Sequence, residues 1–250
     1  SDTPVRAVSR RTSPAFDWED QASWTPALAG VEVAFVAFVP DLAVKEAPET
    51  IRAFAATAIA AGVKRVVLLS GRGEANAQLS EQIMMGSGLG TTVVRASWFA
   101  QNFSEGVMLS SVLSGLIALP AGNAREPFIN VDDIADVAVA ALTDARHAGE
   151  IYEVTGPRLL TFVEAAAAIA AASGRPVGYA PISLAAFHAA LLPELGPRYA
   201  EFLTRLCEEV FDGRNESLGN GVQRALGREP RDFADYCAAM AASGIWREAA

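Results

Sequence analysis

The run from Lys64 to Phe103, KRVVLLSGRG followed by EANAQLSEQIMMGSGLG and TTVVRASWFAQNF, constrains this chain more than any other stretch. Arg65–Leu69 is a short β-branched run too apolar to face water on either side, which suits a central parallel strand. Glu74–Gly86 carries Leu79 and Ile83 at helical spacing, and Gly86, Gly88 and Gly90 then break the helix. Thr91–Val94 is β-branched throughout and predicts a second strand. The two strands end in small or polar residues, Ser70-Gly71 and Ala96-Ser97. In an open parallel sheet, ligands bind in the crevice beyond the carboxyl ends of the strands, so chemistry is expected at those two loops.

The rest of the chain alternates in the same way. Val5–Ser9 and Phe16-Asp17-Trp18 read as short strands, Gln21–Leu28 as a short helix and Val31–Phe38 as a fully apolar strand. Glu49–Ala61 is an amphipathic helix stopped by Gly62. Gly106–Leu119, with Val107, Val112 and Ile117, is apolar and predicts a helix that could be an interface or a lid. Pro127–Asn130, Ile151–Val154 and Val177–Ala180 read as strands. Asp132 or Asp133 is expected to cap the helix that runs to Leu142. Thr161 and Glu164 form a capping box ahead of an alanine-rich helix ending at Gly174. Ser183–Leu192, Arg198–Phe211 and Arg231–Ala242 are helices of a C-terminal region. Strands alternating with helices imply an α/β fold with a doubly wound parallel sheet.

Composition narrows the function classes. A formal charge of −9 over 250 residues argues against a nucleic-acid backbone as partner. No apolar run reaches the roughly 18 residues of a membrane span. The opening SDTPVRAVSRR is polar and basic, unlike a signal peptide. Cys207 and Cys237 have apolar neighbours at helical spacing and read as buried thiols of a cytoplasmic protein. His147 and His188 lie far apart, so no metal-ligand cluster is expected.

One part of a dinucleotide fold is missing from this sequence. No G-x-x-G-x-x-G follows a strand; Gly71-Arg72-Gly73 has the wrong continuation, and Gly86–Gly90 ends a helix. The chain reads from what would be the second strand of such a fold; the expectation is that the first strand and its glycine-rich turn lie upstream, the alternative being that the chain departs from the fold.

FDWEDQASW (Phe16–Trp24), KRVVLLSG (Lys64–Gly71), SGLGTTVVRASWFAQNFSEG (Ser87–Gly106), REPFINVDDIADVAVAALTD (Arg125–Asp144), YEVTGPRLLTFVEAAA (Tyr152–Ala167) and GREPRDF (Gly227–Phe233) resemble the NmrA-like proteins, atypical short-chain dehydrogenase/reductases. The FDW and WFAQNFSE segments are similar to the branch that contains the ergot-alkaloid reductases. The resemblance implies a Rossmann-like NAD(P)-binding domain over residues 1–155, with a helix or lid at 106–125. It also implies a smaller, mainly helical substrate-side region over 156–250. It puts Ser9, Arg10 and Arg11 at the adenosine ribose, where two arginines could pair with a 2′-phosphate and favour NADP(H) over NAD(H). A plain basic surface turn is the alternative. Asp17 and Trp18 match the adenine-side loop, although Trp18 could equally be core. Phe38, Val39 and Pro40 could cover the pyrophosphate–ribose region. Ser70 and Gly71 match the strand end facing the nicotinamide ribose, and Ala96, Ser97, Trp98 and Phe99 the loop beside the nicotinamide. Trp98, Phe99, Asn102 and Phe103 could line the substrate side; Asn102 and Phe103 could instead simply begin the next helix.

The superfamily's Tyr-x-x-x-Lys pair, in which lysine lowers the tyrosine pKa for proton transfer, falls near Gly73 and Ala77. Neither can relay a proton, and Ser70 and Trp98 are the remaining, weaker catalytic candidates. The expectation is an NAD(P)H-dependent reductase passing hydride to a small organic acceptor: an iminium, a quinone or an activated alkene. An iminium carbon already carries positive charge, so positioning alone can suffice. The alternatives are a dinucleotide-binding redox sensor without catalysis and a scaffold that binds no nucleotide. A small-molecule substrate is the expected partner, and a homodimer is compatible with the apolar helix.

Overall fold

The computed structural model describes residues 4–106 and 108–247. In chain order the elements are α1 (Trp24–Leu28), β1 (Val33–Val36), α2 (Ala47–Ala60), β2 (Arg65–Gly71), α3 (Ala75–Met85), β3 (Gly90–Ala96), α4 (Leu109–Ser114), β4 (Leu116–Leu119), β5 (Arg125–Glu126), α5 (Val131–Thr143), β6 (Ile151–Val154), β7 (Leu160–Thr161), α6 (Phe162–Ser173), β8 (Gly178–Pro181), α7 (Leu184–Val210), α8 (Gly221–Leu226) and α9 (Phe233–Ser243). The main sheet is parallel, in the order β1-β2-β3-β6, and β1 pairs with β2 from Val33↔Arg65 to Val36↔Leu68. This is the α/β arrangement that the alternation of strands and helices predicts.

The chain divides into two compact units. The first takes in the chain up to Ser70, Ala75–Val93 and Ala141–Glu150. Its core is Val36, Ile51, Phe54, Val66, Leu68 and Met84 with Trp24. Val66, Val67 and Leu68 are all buried, as a strand covered on both faces requires. Arg65 donates to the carbonyls of Ala141 (3.1 Å) and Leu142 (3.0 Å), neutralising orphan acceptors in the last turn of α5.

Two sequence expectations fail in this unit. Val5–Ser9 is not a strand and pairs with no sheet among the described residues. Phe16–Trp18 is likewise not a strand; only an isolated bridge, Asp17↔Asp20, closes there.

The second unit comprises Gly71–Glu74, Val94–Ala140 and the chain from Ile151 onward. Its core is aromatic: Phe103, Phe128, Phe162, Phe233, Tyr236 and Trp246 are all buried. Phe128 meets Phe162 edge-on at 5.3 Å, and Phe103 meets Phe233 at 5.6 Å, the edge-to-face arrangement that ring quadrupoles favour. The capping box at Thr161 and Glu164 forms as expected.

Here the sequence reading needs three corrections. The apolar run after Gly106 is not one helix. Gly115, at φ +83°, caps α4, and Leu116–Leu119 then pair in parallel with Gly178–Pro181 as β4. A short continuous apolar run cannot by itself distinguish helix from strand. Val107 lies outside the described residues. The strand expected over Pro127–Asn130 is displaced to Arg125–Glu126, antiparallel to β7, leaving only an isolated bridge, Phe99↔Ile129. The start of α5 is capped by Asn130, whose Oδ1 accepts from Asp132 N–H at 3.0 Å, and by Gln101, whose Oε1 accepts from Val131 N–H. Asp133 is released for another task. It is fully buried and takes Arg228 at 2.7 Å, together with the backbone N–H (2.7 Å) and guanidinium of Arg231. Those two arginines come from the GREPRDF segment, so this pairing ties the C-terminal region to α5.

Candidate functional site

In the first unit the expected cofactor residues fall into a turn, an aromatic cluster and one strand end. Thr12 Oγ1 accepts from Ser9 N–H (2.8 Å), and Ser9 Oγ accepts from Arg11 N–H (3.2 Å), which folds Ser9–Thr12 into a side-chain-closed turn. Arg10 and Arg11 are exposed on it. Asp17 Oδ1 accepts from Glu19 N–H at 3.0 Å. Trp18 packs against Phe16 and Phe38, both at 4.8 Å, and donates its indole N–H to the Ala37 carbonyl at 3.2 Å. Trp18 and Phe38 thus belong to the partly buried aromatic wall of the first core. Val39 and Pro40 are both exposed beyond β1. Ser70, near the carboxyl end of β2, is 4% exposed, and its hydroxyl has no hydrogen-bond partner. A buried, unsatisfied hydroxyl costs stability and points to a use.

In the second unit the structure brings together the loop after β2, the loop after β3 and the segment before α5. Arg72 N–H donates to Ala96 O at 3.0 Å. Ser97 Oγ–H donates to Pro127 O at 2.6 Å, and Ile129 N–H donates to Trp98 O at 3.0 Å. Gly71 is pressed against the Glu74 carboxylate so closely that a Cβ would collide with it. Trp98 stacks on Phe211, just beyond α7, at 4.9 Å and meets Phe162 edge-on at 6.0 Å. Its indole N–H is buried without a partner. Phe99 and Asn102 are half-buried, whereas Phe103 is fully buried among the core rings.

Gly73 and Ala77 stand where the sequence suggests the superfamily's relay pair would fall. Gly73 has φ +80°, and a Cβ there would sit 2.5 Å from Asn215 Oδ1. Ala77 is fully buried in the first core.

Several residues that sequence reasoning passed over carry much of the geometry. Arg72 is buried. Its Nε donates to Glu153 at 2.6 Å, its Nη1 to the carbonyls of Asn215 (2.8 Å) and Ser217 (2.7 Å), and its Nη2 to Ser217 Oγ (2.6 Å). Asn215 returns the contact, donating to Arg72 O at 3.2 Å, so the 71–74 loop and the 215–217 segment clasp each other. Burial pushes the Glu126 carboxyl up to about 8, with Arg72 opposing the shift and Glu216 adding to it. A cavity of about 670 Å³ lined by Arg95, Glu153, Asn220, Gln223 and Arg224 opens beside the Arg72–Glu153 pair. The one sequence signal for Arg72 was a charge set between two glycines after a wholly apolar strand. Glu126 and Phe211 had none, because their partners are remote in sequence. Among the described residues no group of three His, Cys, Asp or Glu could hold a metal, and no helix is long and apolar enough to cross a membrane.

No family model matches the chain. Individual proteins do. The chain is 32% identical over 242 residues to the uncharacterized oxidoreductase YesF of Bacillus subtilis (strain 168), covering 93% of this chain and 83% of that protein. It is 32% identical over 249 residues to agroclavine dehydrogenase of Claviceps fusiformis, covering 94% and 85%. This chain belongs to the NmrA-like atypical short-chain dehydrogenase/reductases. It is an oxidoreductase of that family. An NAD(P)H azoreductase of Xenophilus azovorans shares 32% over 246 residues, 92% of this chain and 82% of that one. Among solved structures, a Citrobacter sp. triphenylmethane reductase complexed with NADP(H) superimposes with TM-score 0.76 at 19% identity, covering 91% and 82%. NmrA, a negative transcriptional regulator in complex with NAD, does so with TM-score 0.64 at 15% identity, covering 90% and 78%. At those identities the likeness is one of fold.

Proposed function

We propose that this chain is an NAD(P)H-dependent reductase that passes hydride to a small, planar, unsaturated acceptor: an iminium, a quinone, an azo compound or an activated alkene. The observation that carries this reading is the pair of strand-end loops of the family's parallel sheet. One ends in a buried unsatisfied hydroxyl, Ser70, and the other in an aromatic wall of Trp98 stacked on Phe211. The azo and clavine chemistry named for two relatives of 32% identity extends the acceptor range in the same direction.

The residues present suit the two ends of a dinucleotide. Ser70 offers a hydroxyl with an unused hydrogen bond for a ribose. Arg10 and Arg11 stand exposed on a closed turn and make no ion pair among the described residues, which supports NADP(H) through bidentate contact with a 2′-phosphate. When bound, the reduced nicotinamide supplies the hydride. The protein's part is to orient the acceptor on the Trp98 face and to exclude water through the aromatic core behind it. The crowding at Gly73 and the burial of Ala77 favour a mechanism without the Tyr-Lys relay. Mixing the protein with NADPH and a panel of the four acceptor classes, and following loss of the reduced nicotinamide's absorbance, tests the reading. Turnover on at least one class is expected. Cofactor binding with no turnover on any would favour a redox sensor instead.

A further inference from the structure

The acceptor classes differ in one chemical respect. An iminium becomes a neutral amine on taking hydride alone. A quinone or azo acceptor is left with a charged oxygen or nitrogen, and an activated alkene with an enolate, so each of these also needs a proton. The superfamily's relay positions here are Gly73 and Ala77, neither of which carries an acid. A reductase of the proposed kind therefore needs another protonated group near the strand-end loops.

Several groups in the second unit could carry a proton there; the Tyr236 hydroxyl is buried without a partner, but burial pushes it well above the ordinary tyrosine range. Tyr179 donates its hydroxyl to the carbonyls of Leu119 (3.3 Å) and Gly122 (3.2 Å). Cys207 and Cys237 are buried in or against the core, and desolvation pushes both thiols to about 12, too weak an acid to lead at neutral pH. Glu126 is different. It is 2% exposed and sits on β5, one residue before Pro127, whose carbonyl takes the Ser97 hydroxyl at 2.6 Å and Gly156 N–H at 2.9 Å. Its backbone therefore adjoins the loop after β3, and Arg72 of the loop after β2 acts electrostatically on its carboxyl.

The cations around Glu126 are bound mainly to other groups, although Arg72 still opposes the rise of its pKa. Arg72, from the loop after β2, is committed to Glu153 of β6 and to three oxygens of Asn215 and Ser217, and Arg95 of β3 shares Glu153 at 3.7 Å. Arg125, its neighbour on β5, is held by Glu216 through backbone and side chain at 3.1–3.2 Å. Glu216 itself repels a second carboxylate. A carboxyl so placed keeps its proton to about pH 8, where ordinary acidic side chains have lost theirs. Once ionised, it would have Arg72 beside it to stabilise the charge.

Resting on the reductase reading above, we propose that Glu126 is the proton donor for acceptors that are left as anions by hydride transfer, which makes quinones, azo compounds or activated alkenes, and not iminium ions, the preferred substrate class. The step balances. The acceptor gains a hydride and becomes an oxygen or nitrogen anion. The Glu126 O–H bond breaks, its proton joins that anion, and the carboxylate left behind is reprotonated from water. Overall, reduced cofactor, acceptor and one solvent proton give oxidised cofactor and the two-electron-reduced acceptor.

Glu126→Gln, compared with the unsubstituted protein on a soluble quinone and on a cyclic iminium, tests this, together with a carbon-13 titration of labelled glutamate carboxyls in the cofactor-free protein. The proposal expects a quinone kcat that falls above about pH 8 in the unsubstituted protein, and a quinone kcat lowered ten- to a hundredfold in E126Q with that limb gone and KM little changed, the lower part of the usual range for a general acid. Iminium turnover should stay within about twofold, because that reaction needs no proton. The titration should show one carboxyl with a midpoint near 8, absent from E126Q. Equal losses on quinone and iminium, or no loss on quinone, overturn the proposal while leaving the reductase reading intact. If E126Q does not fold, the carboxyl titration of the unsubstituted protein decides, and no carboxyl titrating above about pH 6 overturns the proposal. No turnover on any acceptor by the unsubstituted protein overturns both.

Discussion

Glu126 should leave a signature in stability as well as in turnover. Its carboxyl is held up at about 8 in the folded chain, chiefly by burial, against 4.5 for the ordinary group. Below that ordinary value both folded and unfolded chains carry the proton, and the contribution is fully present. Between the two values the folded chain holds a proton that the unfolded chain has released, so stability falls as pH rises, and the loss is complete once pH passes about 8. At 1.36 kcal/mol per unit, the loss across that window is on the order of 4–5 kcal/mol. Gln has nothing to lose there. Urea denaturation of both proteins at about pH 5 and about pH 8.5 reads the difference. The unsubstituted protein should lose several kcal/mol more than E126Q between those conditions, equivalent to a drop in Tm larger by roughly 10 °C for a chain of this size. Parallel pH dependences, with the difference between the two proteins constant, would refute the claim that this acid is buried in its neutral form.

Other perturbations separate structure from function. Asp133→Ala removes a fully buried carboxylate that receives two guanidiniums and a backbone N–H, and should cost about 3 kcal/mol, whereas Asp136→Ala, 46% exposed on the same helix, should cost under about 1 kcal/mol. Calorimetric Tm values for the two variants check this, and equal shifts would contradict it. The double substitution Arg10→Ala and Arg11→Ala should weaken NADPH binding by tenfold or more while leaving NADH within about twofold, read by titration calorimetry, since a lost bidentate charged contact is worth at least that much.

How much of this was legible in the sequence depended on whether the partner lay nearby in the chain. β2, α3 and β3 could be read directly, because a fully apolar β-branched run and a glycine stop are local signals. So could the Thr161–Glu164 capping box, a pattern four residues long. The run after Gly106 could not, because whether Leu116–Leu119 continues a helix is decided by a strand sixty residues away, Gly178–Pro181. Asp133 looked like a cap because acids at helix starts usually are. Its real partners, Arg228 and Arg231, lie almost a hundred residues on, and Asn130 takes the capping role. The same distance hides Glu126. Its burial and its competition with Glu216 for cations exist only once β5 and the 215–217 segment have met. The loops expected to carry chemistry, at Ser70-Gly71 and Ala96–Phe99, followed from a rule about strand ends, whereas the acid beside them did not.

Transfer of a labelled hydride is the most direct test of the central claim. NADPH carrying deuterium at the transferring position of the nicotinamide would be incubated with the protein and a cyclic iminium, and the product examined by mass spectrometry. The account predicts one deuterium on the former iminium carbon, in step with cofactor oxidation. Cofactor left reduced, or a reduced product without the label, would contradict it.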